Sequence, residues 1–395
     1  MSMPAYGEYK ASGVTWIGDI PKNWEISPLK RHVRLLTEKS GSRLRPIALE
    51  NIEGWSGRFI ETETDFQGDG VAFEANDILF GKLRPYLAKV LLVKQGGEAV
   101  GDFHVLRVAR SLFPRYAQYQ MLQREFIHVI DGSTFGSKMP RANWESLGGM
   151  PFVIPEHHEQ EAIAAFLDRE TAKIDALIAK QETLLSLLAE KRQATISHAV
   201  TRGLDPDVQM KDSGISWLGE MPGHWAIHSF RREICEGIAN GIFKKKDEFG
   251  AGTLLVNVFD IYRPDFKIDC NRLDRVVCTD DEIEAYRVEA GNLLFVRSSL
   301  KLEGIGVVAV AESSDEPLVY ECHLIRARLK ADSFDGRFAS YLFNSTQYRQ
   351  HLIRSAKVTT MTTIDQEAIL SVPVLVPPLV EQRASRVHRR RGWEN

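Results

Sequence analysis

The phrase SGVTWIGDIPKNWE, beginning at Ser12, returns as SGISWLGEMPGHWA, beginning at Ser213. A repeat on that scale requires two copies of one fold within the chain, and 395 residues suffice for two globular units. The copies stay parallel beyond the opening. Trp16, Gly18, Pro21 and Trp24 are echoed by Trp217, Gly219, Pro222 and Trp225. NDILFGKLRPYL (Asn76 to Leu87) corresponds to GNLLFVRSSLKL (Gly291 to Leu302), and DFHVLRV (Asp102 to Val108) to ECHLIRA (Glu321 to Ala327). PFVIPEHHEQEA (from Pro151) matches PVLVPPLVEQRA (from Pro373), after insertions in the middle of the second copy. Matching ends around a divergent middle imply one scaffold carrying two different surfaces.

Within each copy the pattern is mixed α/β. Apolar runs at Ile78-Leu79-Phe80, Lys89 to Val93, Gly306 to Val310 and Leu324 to Ala327 predict strands. RYAQYQMLQREFIHVI and RFASYLFNSTQYRQHLI, near the end of each copy, predict one helix apiece. Pro21 fixes a turn around which Trp16 and Trp24 are expected to bury aromatic surface. Between the copies, apolar residues at Ile163, Phe166, Leu167, Ile174, Leu177, Ile178, Leu184, Leu185, Leu188 and Ile196 keep the spacing of an amphipathic helix from about Glu159 to Thr201. Pro155 precedes it, and Gly203 and Pro206 stop it. Such a helix is about 60 Å long, more than one small domain can bury, so its leucine-rich face calls for a partner helix, as in a coiled coil.

Motifs for chemistry are missing from the sequence. Gly81-Lys82 is followed by Leu83 rather than the Ser or Thr of a phosphate loop, and neither Gly-x-Gly-x-x-Gly after a strand nor His-Glu-x-x-His occurs. Pro377-Pro378 follows Val376, not the Asn or Asp of amino-methylating enzymes, and Pro264-Asp265 lacks the Glu-x-Lys of a nuclease metal site and reads as a turn. His157-His158 and Cys322-His323 stand isolated. The cysteines Cys235, Cys270, Cys278 and Cys322 show no zinc-site spacing and read as reduced core thiols. A net charge of −3 neither supports nor excludes a nucleic-acid partner. With no signal-like N-terminus and no apolar run long enough to span a bilayer, a cytoplasmic protein without a membrane partner is expected. The chain reads as a binder.

Local basic clusters on probable loops suggest what is bound. Lys82, Arg84 and Tyr86 combine cations with an aromatic and a turn-former, a mixture that can grip phosphates while one side chain reaches a base edge. The second copy offers Arg297, Ser298, Ser299 and Lys301. A second loop pair carries Lys138 and Arg141 in the first copy and Lys357 to Thr362, including Thr360, in the other; Lys244-Lys245-Lys246 belongs to the second copy alone. The candidate DNA contacts are Lys82, Arg84, Tyr86, Lys138 and Arg141, then Lys245, Arg297, Lys301 and Thr360.

The duplicated opening, LFGKLRPYLAKV, LLFVRSSLKLEGIG, YECHLIRARL and IPEHHEQEAIAAFLDRETAKIDALIAKQ together resemble the DNA specificity subunit of type I restriction–modification systems, from about Tyr9 to Gln382. The resemblance implies an α+β protein. Two homologous target-recognition domains, 1–156 and 203–376, would be separated by a long coiled-coil-type spacer helix, 157–202, with a remnant of a second spacer helix at 377–395. Each domain would read one half of a split site in double-stranded DNA, the helix setting the distance between halves. Ile163, Leu167, Ile174, Leu177, Leu184 and Leu188 would dock modification subunits and, through them, restriction subunits. No cofactor is implied for this chain; S-adenosylmethionine, ATP and magnesium would belong to the partners. After Ala384 the chain reads SRVHRRRGWEN where the family continues its second helix, as though truncated or shifted in frame. The unpaired spacer helix is then expected to self-associate or to be poorly soluble alone. Two other classes stay open, a stand-alone dimeric DNA-binding protein and an enzyme in its own right, as does a truncated subunit without function.

Overall fold

In the computed structural model, residues 6–39, 45–62, 70–136, 138–358 and 361–384 are described. The chain divides into two compact units, 1–180 and 181–395. In the first, four antiparallel strands lie in the order Val33–Leu36, Phe103–Val108, Ile78–Gly81 and Val90–Leu92. A smaller sheet places Pro46–Ile47 parallel to Gly97–Ala99, with Val71–Phe73 antiparallel on its other side. Ile78 and Phe80 face a core built with Tyr116, Met121, Phe126 and Phe152, whereas Leu79 faces Ile47, Phe73 and Val105. Both faces of this strand are therefore covered, which is why its sequence is continuously apolar instead of alternating.

The second unit repeats the plan with Ala239–Asn240, Leu324–Ala327, Leu293–Val296 and Val308–Val310. Leu293 and Phe295 pack with Phe338 and Phe343, and Leu294 and Val296 with Leu254 and Tyr320. Its smaller sheet carries Asp274–Val276, Phe249–Val256 and Leu318–Tyr320.

Three expectations need correction. Each expected helix near the end of a copy is two helices: Pro114–Met121 with Arg124–Gly132, and Gly336–Phe343 with Thr346–Arg354. The break in the second unit has a clear cause. Buried Asn344 takes its side chain to the adjacent strand, donating to the Val308 carbonyl at 2.7 Å and accepting from the Val308 amide at 3.2 Å, a competitor to helical bonding. In the first unit Gln123 adopts an extended backbone between the two helices. The pairing of DFHVLRV with ECHLIRA is also displaced by two residues: Phe103 faces Gly81, but it is Leu324, not Cys322, that faces Val296. Residues two apart share a face of a strand, so the apolar pattern survives this slip and cannot reveal it. The four cysteines are free, but Cys235 is exposed and the others half-buried, so none is a core thiol.

The repeated opening forms a hairpin in each unit, Tyr9–Ala11 with Asp19–Pro21 and Met210–Asp212 with Glu220–Pro222. Gly18 and Gly219 take φ of 73° and 69°, where a side chain would be strained, which accounts for the glycine in both phrases. Trp16 meets Phe126 edge-on at 6.4 Å, and Trp217 stacks on His351 at 4.4 Å while meeting Tyr348 edge-on. Trp225 is buried; Trp16 and Trp24 are only half-covered.

The long helix runs from His157 to Arg202, 46 residues or about 69 Å, and ends at Gly203 with φ 82°. Its first turns belong to the first unit. Gln160, 1% exposed, accepts from the Phe113 amide at 2.7 Å and donates to the carbonyls of Ser111 and Pro155 at 3.1 and 2.9 Å. Gln382 repeats this in the second unit with the Asp335 amide and the carbonyls of Ser333 and Pro377. Asp168 receives Arg115 and Tyr119, each at 2.7 Å; burial raises its pKa, but these bonds outweigh it and hold the carboxyl below its ordinary range. Arg58 pairs with Asp175. In the second unit Val200 is buried, Ser197 bonds the Thr346 amide at 2.9 Å and Gln193 donates to the Asn344 carbonyl at 2.7 Å. Replacing Gln160 by leucine keeps the volume but strips partners from one amide and two carbonyls. The first unit is expected to lose about 1–3 kcal/mol in chemical denaturation, with a leucine-sized side chain unable to restore it.

Candidate nucleic-acid interface

The strand Ile78–Gly81 delivers Lys82 to a junction of three segments made by backbone groups. Lys82 donates its amide to the Asp102 carbonyl at 2.9 Å, and its carbonyl accepts from the Ala142 amide at 2.9 Å. Leu83 bridges Arg141, Arg141 bridges Phe135, and the Arg84 amide donates to Pro140 at 2.8 Å. Two loops far apart in sequence thus become one edge. Lys82, Arg84, Tyr86 and Arg141 are brought together there, with Lys138 on the same 135–142 loop. Arg84 and Ala88, both at positive φ, bracket the turn Pro85–Leu87 and leave Arg84 and Tyr86 exposed; such backbone strain is retained chiefly where it serves a site.

The second unit makes the same junction. Arg297 donates to the His323 carbonyl at 2.8 Å and accepts from the Ile364 amide at 2.9 Å. Ser298–Ser299 pair with Thr362–Thr363, which pair with Lys357–Val358. Arg297 therefore stands where Lys82 does, and Lys301 is exposed just beyond. Thr360 lies outside the described residues, between the paired segments. Lys245 is not joined to this edge by any hydrogen bond or ion pair among the described residues; it lies in a segment where Lys244 is held by Glu248 and Glu282 at 3.1 and 2.8 Å.

Several supporting residues escaped the sequence reading. Asp102 accepts both forks of Arg141, at 3.2 and 2.9 Å, with the Lys82 ammonium at 3.9 Å. His323 occupies the same place in the second unit and shares a hydrogen bond of 2.6 Å with the Ser298 hydroxyl. His104 donates to the Ala142 carbonyl at 3.0 Å, and burial lowers its pKa, keeping it neutral behind the edge. Arg349 donates to the carbonyls of Ile305 and Glu303, at 2.5 and 2.7 Å, bracing the loop after Lys301; burial pulls its pKa down to about 10. Charge patterns alone signalled the exposed cations and missed these, because each depends on the strand register.

The ligand-type atoms of Glu321, Cys322 and His323 lie within 4.8 Å of one another. Glu321 already accepts from the Val258 amide at 3.0 Å, His323 is engaged with Ser298, and burial raises the Cys322 thiol pKa, which keeps it protonated. The trio is a hydrogen-bonded turn supporting the edge.

On the long helix, Ile163 and Leu167 are half-buried against the first unit. Ile174, Leu177, Leu184 and Leu188 are 43–57% exposed, and Ile178, Leu185 and Leu187 nearby are exposed as well. Of the six expected partner-binding residues, four are thus open and two are largely used inside the first unit.

Known proteins agree with this architecture. The EcoKI type I specificity subunit of Escherichia coli K12 is 26% identical over 92% of this chain and 81% of its own length. Over most of its length the chain thus resembles type I restriction enzyme specificity subunits. The MjaVIII specificity subunit of Methanocaldococcus jannaschii is 20% identical over 92% of the chain and 85% of its own length. The fold matches the crystal structure of an HsdS subunit from Thermoanaerobacter tengcongensis, with TM-score 0.56, 16% identity and coverage of 93% and 88% of the two chains. It also matches a chain from a structural study of type I restriction–modification assembly, with TM-score 0.63, 15% identity and coverage of 94% and 91%. No family model matches the sequence.

Lys138 is exposed on the 135–142 loop, away from the Asp102 ion pairs. Lys138→Ala is expected to weaken binding uniformly across duplex sequences and to lower the slope of log K against log salt by about 1. A titration series in salt checks both.

Proposed function

We propose that this chain is the sequence-specific DNA-binding subunit of a type I restriction–modification complex. Each unit reads one half of a split site in duplex DNA through its three-segment edge, and bond-making is left to other polypeptides. S-adenosylmethionine then serves the modification subunits, and ATP and magnesium the restriction subunits. The observation that carries this is the repeated junction. Lys82 and Arg297 enter identical backbone bonds, while the side chains around them differ, as two readers of two different half-sites require.

Co-expression with modification subunits, followed by mapping of methylated adenines across the host genome, tests it. A split motif that disappears when this chain is omitted is expected. Methylation without such a motif, or one independent of this chain, contradicts the assignment.

The open stretch of the long helix, with Ile174, Leu177, Leu184 and Leu188, is the surface we assign to modification subunits. Without them these side chains pair with a second copy, so the isolated chain sediments as a dimer or larger. Leu177→Glu with Leu184→Glu is expected to return it to a monomer, the substitutions being on exposed positions that do not disturb either core. A monomeric parent chain at micromolar concentration would contradict this.

A further inference from the structure

A short helical turn borders each reading edge, and its outward residue differs between the units. In the first unit the turn is Leu49–Asn51; in the second it is Val258–Ile261. Backbone bonds establish that they are equivalent. Val100 donates to the Ile47 carbonyl at 2.9 Å just as Glu321 donates to Val256 at 3.1 Å. The Ala48 amide is capped by the Asn51 side chain at 2.9 Å, and the Asn257 amide by Asp260 at 2.8 Å. Ile52 and Ile261 then turn into their cores, 1% and 0% exposed. The residue facing outward between cap and core is Glu50 in the first unit and Phe259 in the second.

Both turns are fastened to the reading edge at two points. Val258 donates to the Glu321 carboxylate at 3.0 Å, at the start of the turn whose His323 carbonyl holds Arg297; Tyr262 reaches the Gly304 carbonyl at 3.4 Å, in the loop after Lys301. In the first unit Lys89 donates its ammonium to the Leu49 carbonyl at 2.6 Å and accepts from the Gly81 amide at 2.8 Å, one residue before Lys82. The Trp55 amide donates to Ala88, the residue closing the Arg84 turn, at 3.1 Å. A side chain standing between these fastenings borders whatever the edge grips. Phe259 is 85% exposed, and among the described residues no large hydrophobic side chain is more so.

We propose that Glu50 and Phe259 are specificity-determining residues, each contacting one base edge in the half-site of its unit. The inference rests on the DNA-reading function proposed above. The chemistry of the two side chains differs in the way base edges differ. A carboxylate repels phosphates but accepts from the cytosine amino group in the major groove, whereas a phenyl ring fits the thymine methyl. Glu50 selects cytosine at its position, and Phe259 selects thymine. One structural position, filled differently in the two copies, thereby gives the halves of the site different sequences.

The test uses the full chain, with modification subunits, against a pool of random-sequence duplexes, and compares it with Phe259→Glu, Phe259→Ala and Glu50→Phe. Both residues are exposed, so unchanged thermal midpoints are expected and verify that each variant folds. The parent enriches a split motif. Phe259→Glu changes one position of one half from thymine towards cytosine, Phe259→Ala loses about tenfold preference there, and Glu50→Phe changes one position of the other half in the opposite sense. An identical consensus from parent and variants, or a loss of affinity spread over all sequences in a folded variant, overturns the assignment. Failure of the parent to enrich any motif overturns the DNA-reading function itself, and this inference with it.

Discussion

The edges of both units are framed by hydrogen bonds between backbone groups. The bonds from Ala142 to Lys82 and from Ile364 to Arg297 run between peptide groups, as do those from Lys82 to Asp102 and from Arg297 to His323. Peptide groups are the same whatever side chains they carry. An edge built this way keeps its geometry while its side chains change, and the proposed reading of two different half-sites needs that separation. The strain at Arg84 and Ala88 and the bracing by Arg349 and Asp102 are local adjustments on the shared frame.

The long helix is anchored by a different principle. Buried Gln160 satisfies an amide and two carbonyls where the helix starts, Ser197 and Gln193 hold its far end, and Gln382 repeats the Gln160 arrangement on the short helix Leu379–Ala384. An apolar residue there would leave three peptide groups without partners, which explains why Glu-Gln recurs in both PEHHEQ and PPLVEQ. Between its anchored ends the helix leaves an apolar face in water, a costly arrangement that makes sense in a component of an assembly.

Much of this was legible in the sequence for physical reasons. The repeat, the strands at Ile78 and Leu293, and the long helix were visible because burial imposes periodicity on apolar residues, and the helix ends fell within a few residues of Glu159 and Thr201. The cations Lys82, Arg84, Lys138 and Arg141 were legible as charge. The two-residue offset that sets Asp102 against His323 was not, since a slip of two leaves the pattern of a strand intact. The role of Asn344 in breaking a helix was hidden because its partner, Val308, lies on a distant strand. Nor could sequence alone show that Lys244 is consumed by Glu248 and Glu282. Glu50 and Phe259 do not align by eye, and only the bonds of Ile47 and Val256 reveal that they occupy one place.

Amide hydrogen exchange of the full chain, with and without a duplex carrying its recognition sequence, tests the central claim most directly. Slowed exchange on DNA binding is expected at both edges, 82–88 with 135–142 and 297–304 with 357–363. Protection confined to one unit, or found on the long helix with neither edge affected, would contradict the account.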